Sequence, residues 1–127
     1  MAGRSGRDRG QSTVELALVL PVVALLLLAL FQVGLVARDV VLVSHAAREG
    51  ARAAATDSDP AAAERAATRS GGLDPTRMDV EVSGRGAPGS RVAVTVTYRI
   101  PTSVPIVGAM LDDNRVETTV TMRVEGG

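Results

Sequence analysis

Two hydrophobic patterns divide the chain: an unbroken apolar run near the start and a period-two alternation near the end. Across residues 14–36 the only strongly polar side chains are Glu15 and Gln32. A run of this length can cross a hydrocarbon core, which takes about 20 residues. Leu25-Leu26-Leu27-Leu28 has no polar face, whereas the helix of a soluble domain is normally amphipathic. Pro21 lies inside the run and is tolerated in a membrane helix. No breaker pair separates the run from residues 40–55, so one helix over residues 12–55 is expected, roughly 65 Å long. Asp59-Pro60 reads as the cap and first position of a second helix that runs to about Arg69. Ser70-Gly71-Gly72 stops that helix.

Three stretches then alternate. Met78, Val80 and Val82 face one way, and Asp79, Glu81 and Ser83 the other. Val92, Val94, Val96 and Tyr98 oppose Arg91, Thr95, Thr97 and Arg99. Val116, Thr118, Val120, Met122 and Val124 oppose Arg115, Glu117, Thr119, Thr121 and Arg123. This pattern predicts an antiparallel sheet with one buried and one wet face. The glycine-rich stretch 84–89 is a hairpin loop. No helix follows it, so it is no phosphate cradle. The fold class expected is α+β: a long N-terminal transmembrane helix leading into a small domain with one further helix and a three- to four-stranded antiparallel sheet. The expected divisions are a basic leader at 1–10, a transmembrane helix at 11–36, a helical extension at 37–56 and an outer α+β domain at 57–127. Residues 100–111 contain Pro101 and Pro105 and are too apolar for a free loop. They cap the sheet, touch the membrane surface or meet a partner.

Charge sets the expected orientation. Arg4, Arg7 and Arg9 precede the helix with Asp8 the sole acid among them, whereas Arg38 beyond it is matched by Asp39. The positive-inside rule places the N-terminus in the cytoplasm and the outer domain outside the cell membrane, although Arg48 and Arg52 reduce the bias. The run is too long for the apolar region of a secretory signal. Over 127 residues the formal net charge is zero, so nucleic acid is not an expected partner. There is no cysteine, which excludes disulfides and thiolate metal sites. An outer domain of roughly 70 residues without such staples is marginal alone, which favours support from partners or the membrane.

Two features carry candidate chemistry. Glu15 sits at the edge of the hydrocarbon, where a carboxylate costs on the order of a few kcal/mol unless it meets water, a proton or a cation. One reading makes it a solvated helix-start acid, with Ser12 and Glu15 forming a capping box. The other has the chain cut after Gly10, so that Glu15 becomes the fifth residue and meets the new amine of Gln11 on its own or a neighbouring chain. The second feature is a stripe of small residues, Ala46, Gly50 and Ala54, beside Ala47, Ala51 and Ala55. Such spacing lets another backbone come close. It serves either a helix–helix interface or packing on the chain's own sheet. Arg48 and Arg52 share one face, with Glu49 placed to pair with Arg52 or His45. His45 is the sole histidine and has no companions for a metal site. Asp112-Asp113-Asn114 reads as a turn. No catalytic constellation, cofactor site or small-molecule site is expected.

Residues 10–21, Gly-Gln-Ser-Thr-Val-Glu-Leu-Ala-Leu-Val-Leu-Pro, resemble the N-terminal motif of TadE-like proteins. Residues 46–54, Ala-Ala-Arg-Glu-Gly-Ala-Arg-Ala-Ala, resemble that family's second block. The resemblance implies a minor pilin-like, or pseudopilin, subunit of a Tad (tight adherence) pilus and secretion system. It implies processing by a prepilin peptidase between Gly10 and Gln11, with Glu15 as the register-setting acid. The partners implied are the lipid bilayer, the peptidase, other pilin-like subunits and Tad assembly proteins. The alternative is an uncleaved, single-pass, membrane-anchored interaction protein outside that system.

Overall fold

The computed structural model describes residues 5–100 and 115–126. Arg4, the segment 101–111 and the expected turn at 112–114 lie outside the described residues. The elements are helix α1 (Ser5–Thr56), helix α2 (Ala62–Arg69), a 3-10 turn (Pro75–Arg77) and strands β1 (Met78–Ser83), β2 (Arg91–Arg99) and β3 (Arg115–Arg123). Two compact units divide the chain, one ending at Leu35 and the other beginning at Val36.

In the first unit, α1 is apolar and solvent-facing on all sides. Leu18, Val22, Leu25, Phe31 and Val33 are each more than 60% exposed. This is the one helix among the described residues long and apolar enough to cross a membrane, and it fits a single-pass anchor. Helix formation begins earlier than the expected capping box. Ser12 is interior to α1 and its hydroxyl donates to the Asp8 carbonyl at 2.9 Å. Thr13 donates to the Arg9 carbonyl at 2.9 Å. Ser12 therefore does not cap α1. Both hydroxyls are satisfied one turn back, a bond open to Ser and Thr inside a helix.

The second unit is a two-layer α+β domain. The sheet is antiparallel with order β1-β2-β3, so β2 is central. Val92, Val94, Val96 and Tyr98 of β2 are buried, and the inward residues of the edge strands are half-buried. Against them pack Val43, Ala46, Ala47, Ala51, Ala54 and Ala55 of α1 and Ala63 and Ala67 of α2. Alanine on both helices brings their backbones close to the valine face of the sheet. Gly50 marks the closest approach: a Cβ there would lie 3.2 Å from the Ala63 carbonyl oxygen and 3.2 Å from Val94 Cγ1.

Both ends of this unit are tied down. Near the start, Leu42 lies against Gly72, which has φ +83° and a contact distance that leaves little room for a side chain. Asp74 N–H donates to the Tyr98 hydroxyl at 3.4 Å. At the opposite end, Glu125 N–H donates to the Ala55 carbonyl at 3.0 Å, beyond the β2–β3 hairpin end. The α1 segment therefore runs antiparallel to β2. Regular α2 begins at Ala62, two residues later than expected, and Pro60 and Ala61 form a turn ahead of it. Asp59 accepts from Ala61 N–H at 3.0 Å and so closes the turn ahead of α2; the N-cap of the helix itself is Ala61, which makes no side-chain capping bond, so Asp59 is not the cap expected of it.

Candidate functional site

The N-terminal part of α1 holds the residues expected to be cut and to set register. Arg7, Arg9, Gly10, Gln11 and Glu15 all lie on α1 and are exposed. The Gly10–Gln11 bond is enclosed by helix on both sides, a state that the expected leader boundary does not suggest. Nothing lies within 4 Å of a Cβ built on Gly10, so its surroundings are open. Glu15 follows Gln11 by four residues, which places the two on one face of the helix about 6 Å apart. A carboxylate there is one turn from the amine that a cut after Gly10 would release. Gln32, the second polar residue of the run, is half-buried.

The small-residue stripe lies elsewhere, in the second unit. Ala46, Ala47 and Ala51 have no exposed surface, Ala54 has almost none, and Gly50 is buried. All are covered by the chain's own sheet and by α2. Of the two readings left open by the spacing, packing within the domain is the one found, and these residues offer no surface to a neighbouring helix. On the opposite side of α1, His45, Arg48 and Arg52 are exposed. No ion pair joins Glu49 to Arg52 or His45.

Asp39 is buried although charged, and the Arg38 guanidinium lies 3.6 Å from its carboxylate. The charge match of the Arg38-Asp39 dipeptide does not by itself indicate that burial.

Two exposed carboxylates are held below the ordinary carboxylate range. For Asp59 the first cause is the Ala61 N–H, followed by the Arg65 guanidinium. For Asp74 it is the Thr76 hydroxyl and then the Thr76 N–H, with Arg77 adding a weaker attraction. Both serve turns: Asp59 leads into α2, and Asp74 caps the 3-10 turn. Among the described residues no group of three or more His, Asp or Glu stands where it could hold a metal ion. The open depression between the end of α1 and the end of β3 is lined by Arg52, Thr56, Pro88, Arg123 and Glu125. It brings the guanidinium groups of Arg52 and Arg123 and the Glu125 carboxylate to one depression.

Residues 10–52 match the family described as TadE-like protein. The match begins at the small residue before Gln11, covers Glu15 and the whole apolar run, and ends at Arg52 after the first part of the small-residue stripe. Comparison with curated proteins and with solved structures gives no match.

Proposed function

We propose that this chain is a minor pilin-like, or pseudopilin, subunit of a Tad-type pilus or secretion apparatus. The observation that carries this reading is the extent of the family match. It starts at Gly10 and includes Glu15, the solvent-facing apolar helix and most of the following block, to Arg52, in one stretch. On this reading the leader stays in the cytoplasm with Arg4, Arg7 and Arg9, and the α+β domain lies outside the cell membrane. A prepilin peptidase cuts between Gly10 and Gln11. The apolar helix holds the chain in the bilayer until other pilin-like subunits pack along it, and Glu15 sets register by meeting a free amine. The chain acts by assembly and not by catalysis.

A second reading, an uncleaved membrane-anchored interaction protein, draws on one observation. The Gly10–Gln11 bond lies inside regular helix, so a peptidase must first unwind it. The N-terminal residue of the protein from native membranes separates the two. A chain beginning at Gln11, with processing blocked by Gly10→Leu, supports the pilin-like reading. A chain that keeps Met1 or Ala2 in the presence of the peptidase overturns processing.

A further inference from the structure

The α+β domain has two solvent faces of opposite character. On the helix side, α1 turns His45, Arg48 and Arg52 to solvent. Glu49 is half-buried between them, and no carboxylate of the described residues forms an ion pair with Arg48 or Arg52. On the far side of the sheet, Asp79, Glu81 and Glu117 are exposed. The pairing register places Glu81 beside Thr95, and Asp79 and Glu117 on either side of Thr97. The centre of this face is small and flat, with Ala93, Thr95, Thr97, Thr119 and Thr121. Asp79 shares an open depression with Arg77, Arg99 and Arg115, so Glu81 and Glu117 carry the accessible negative charge.

Gly50 against Val94 fixes the relative level of the two faces. Moving toward the Leu42 end, Arg48 lies about 3 Å along α1. Moving the same way along β2, Thr95 and its partner Glu81 also lie about 3 Å from Val94. His45 is about 7 Å from that level, and the row of Thr97 with Asp79 and Glu117 about 10 Å. Arg48 and Glu81 therefore sit at one level and His45 lies about 3 Å short of the Thr97 row, whereas Arg52 lies about 3 Å from the Gly50 level in the other direction, beside the small Ala93 row. Above and below the acidic band, arginines oppose each other directly across β2 and β3: Arg91 with Arg123, and Arg99 with Arg115. A partner that slid along the strands in either direction would bring arginine onto arginine.

We infer that the open sheet face of one copy receives the His45–Arg48–Arg52 face of a second copy of this chain, displaced sideways without rotation. Complementary charge at one level is what a lateral neighbour in the same orientation requires. The two faces lie on opposite sides of one domain, so the contact is heterologous and repeats without closing. The arginine pairs fix the level of the neighbour, since like charges across an interface select register strongly. The contact rests on the reading that copies share one membrane with one orientation, and it names the partner that this reading leaves open.

The test uses the full chain in native membranes. Its lack of cysteine makes any introduced thiols the sole ones. Copies carrying His45→Cys and Thr97→Cys are co-expressed and oxidised. A disulfide-linked dimer of this chain should exceed that from either variant alone. Adding Arg48→Glu and Arg52→Glu to the first copy should reduce it by about tenfold. Adding Glu81→Arg and Glu117→Arg to the second should restore it. Linkage at the level of the single variants, indifference to charge reversal, failure of the swap to restore it, or linkage only to a different protein would each overturn the contact. N-terminal sequencing of the same samples keeps the two proposals apart. A Gln11 start without linkage removes this contact alone, and linkage in a chain that keeps Met1 removes processing alone.

Discussion

Gly50 of α1 faces the Ala63 carbonyl of α2 so closely that a Cβ at residue 50 would lie 3.2 Å from that oxygen. Val94 closes the same space from the sheet, also at 3.2 Å. Three elements thus meet where one has no side chain. Gly50→Leu should destabilise the α+β domain by about 1–3 kcal/mol, because an added side chain in a packed core forces backbone shifts. Pulse proteolysis of the membrane-bound chain across a urea series measures the change. Gly50→Ala is the informative companion. Its gain of about 1 kcal/mol in helix propensity is set against a contact with backbone, which cannot swing aside. Stability at or below that of the parent is expected.

Val94 sits at the centre of the central strand with no exposed surface. Val94→Ala removes two methyl groups where α1, α2 and both edge strands converge. Taking about 0.8 kcal/mol per buried methylene-sized group and a cavity term on top, a loss of about 2 kcal/mol is expected. The same substitution at Val116, half-buried on an edge strand, should cost less than half as much in the same assay. Equal losses would mean that β2 is not the central strand.

Much of this architecture is legible in the sequence because alternation reports a face directly. Val80, Val96 and Val120 point inward as their spacing requires, and Ser70-Gly71-Gly72 ends α2 where two positive φ values are needed. Other features follow from relationships that spacing does not encode. A stripe of alanines around Gly50 says that something comes close, but not whether it is another chain or the chain's own sheet. Ser12 and Glu15 have the spacing of a capping box, yet a hydroxyl can equally bond one turn back inside a helix, as Ser12 does. The 3-10 turn after Asp74 was legible in principle. Asp74-Pro75 repeats the Asp59-Pro60 signal, with Thr76 donating both its N–H and its hydroxyl to the carboxylate.

Acid should loosen the turns before it reaches the core. Asp59 and Asp74 are both held below the ordinary carboxylate value, by hydrogen bonds first and neighbouring arginines after. A depressed native value means that the unfolded chain binds the proton more tightly. Their contribution is therefore fully present above the ordinary value near 3.8 and is lost as pH falls through the lower native values. Carboxyl-detected NMR should place both midpoints below 3.8. Asp59→Asn keeps an acceptor for Ala61 N–H but not the charge facing Arg65, so it should reduce the acid dependence while leaving α2 in place. A midpoint at or above the ordinary value for Asp59 would contradict the turn geometry.

Thr95 and Thr119 share a hydroxyl–hydroxyl hydrogen bond of 2.8 Å on the open face of the sheet. The pair lies at the centre of the flat patch between the charged rows. Cross-strand pairs of this kind contribute roughly 0.2–1 kcal/mol. A double-mutant cycle with Thr95→Val and Thr119→Val should return a coupling in that range, since each single change leaves the other hydroxyl to water. A coupling indistinguishable from zero would mean that solvent competes fully for both hydroxyls.

Glu15 separates the two functional readings most sharply, because only one of them predicts a loss of assembly when its carboxylate is removed. It is exposed on α1 within the membrane-length apolar run, four residues after Gln11. If the carboxylate only sits in the headgroup layer, Glu15→Val removes the cost of an acid at the hydrocarbon edge, on the order of a few kcal/mol. Membrane insertion should then improve and nothing else should change. If the carboxylate meets the amine of a processed Gln11, the same substitution leaves that amine without a counter-charge in a place where water is scarce. Insertion should still improve, but co-purification with other pilin-like subunits should fall by about tenfold. Glu15→Asp keeps the charge on a shorter side chain and should recover part of that loss. Gly10→Leu supplies the internal check. In a chain that is never cut there is no amine to meet, so adding Glu15→Val to Gly10→Leu should lower assembly no further.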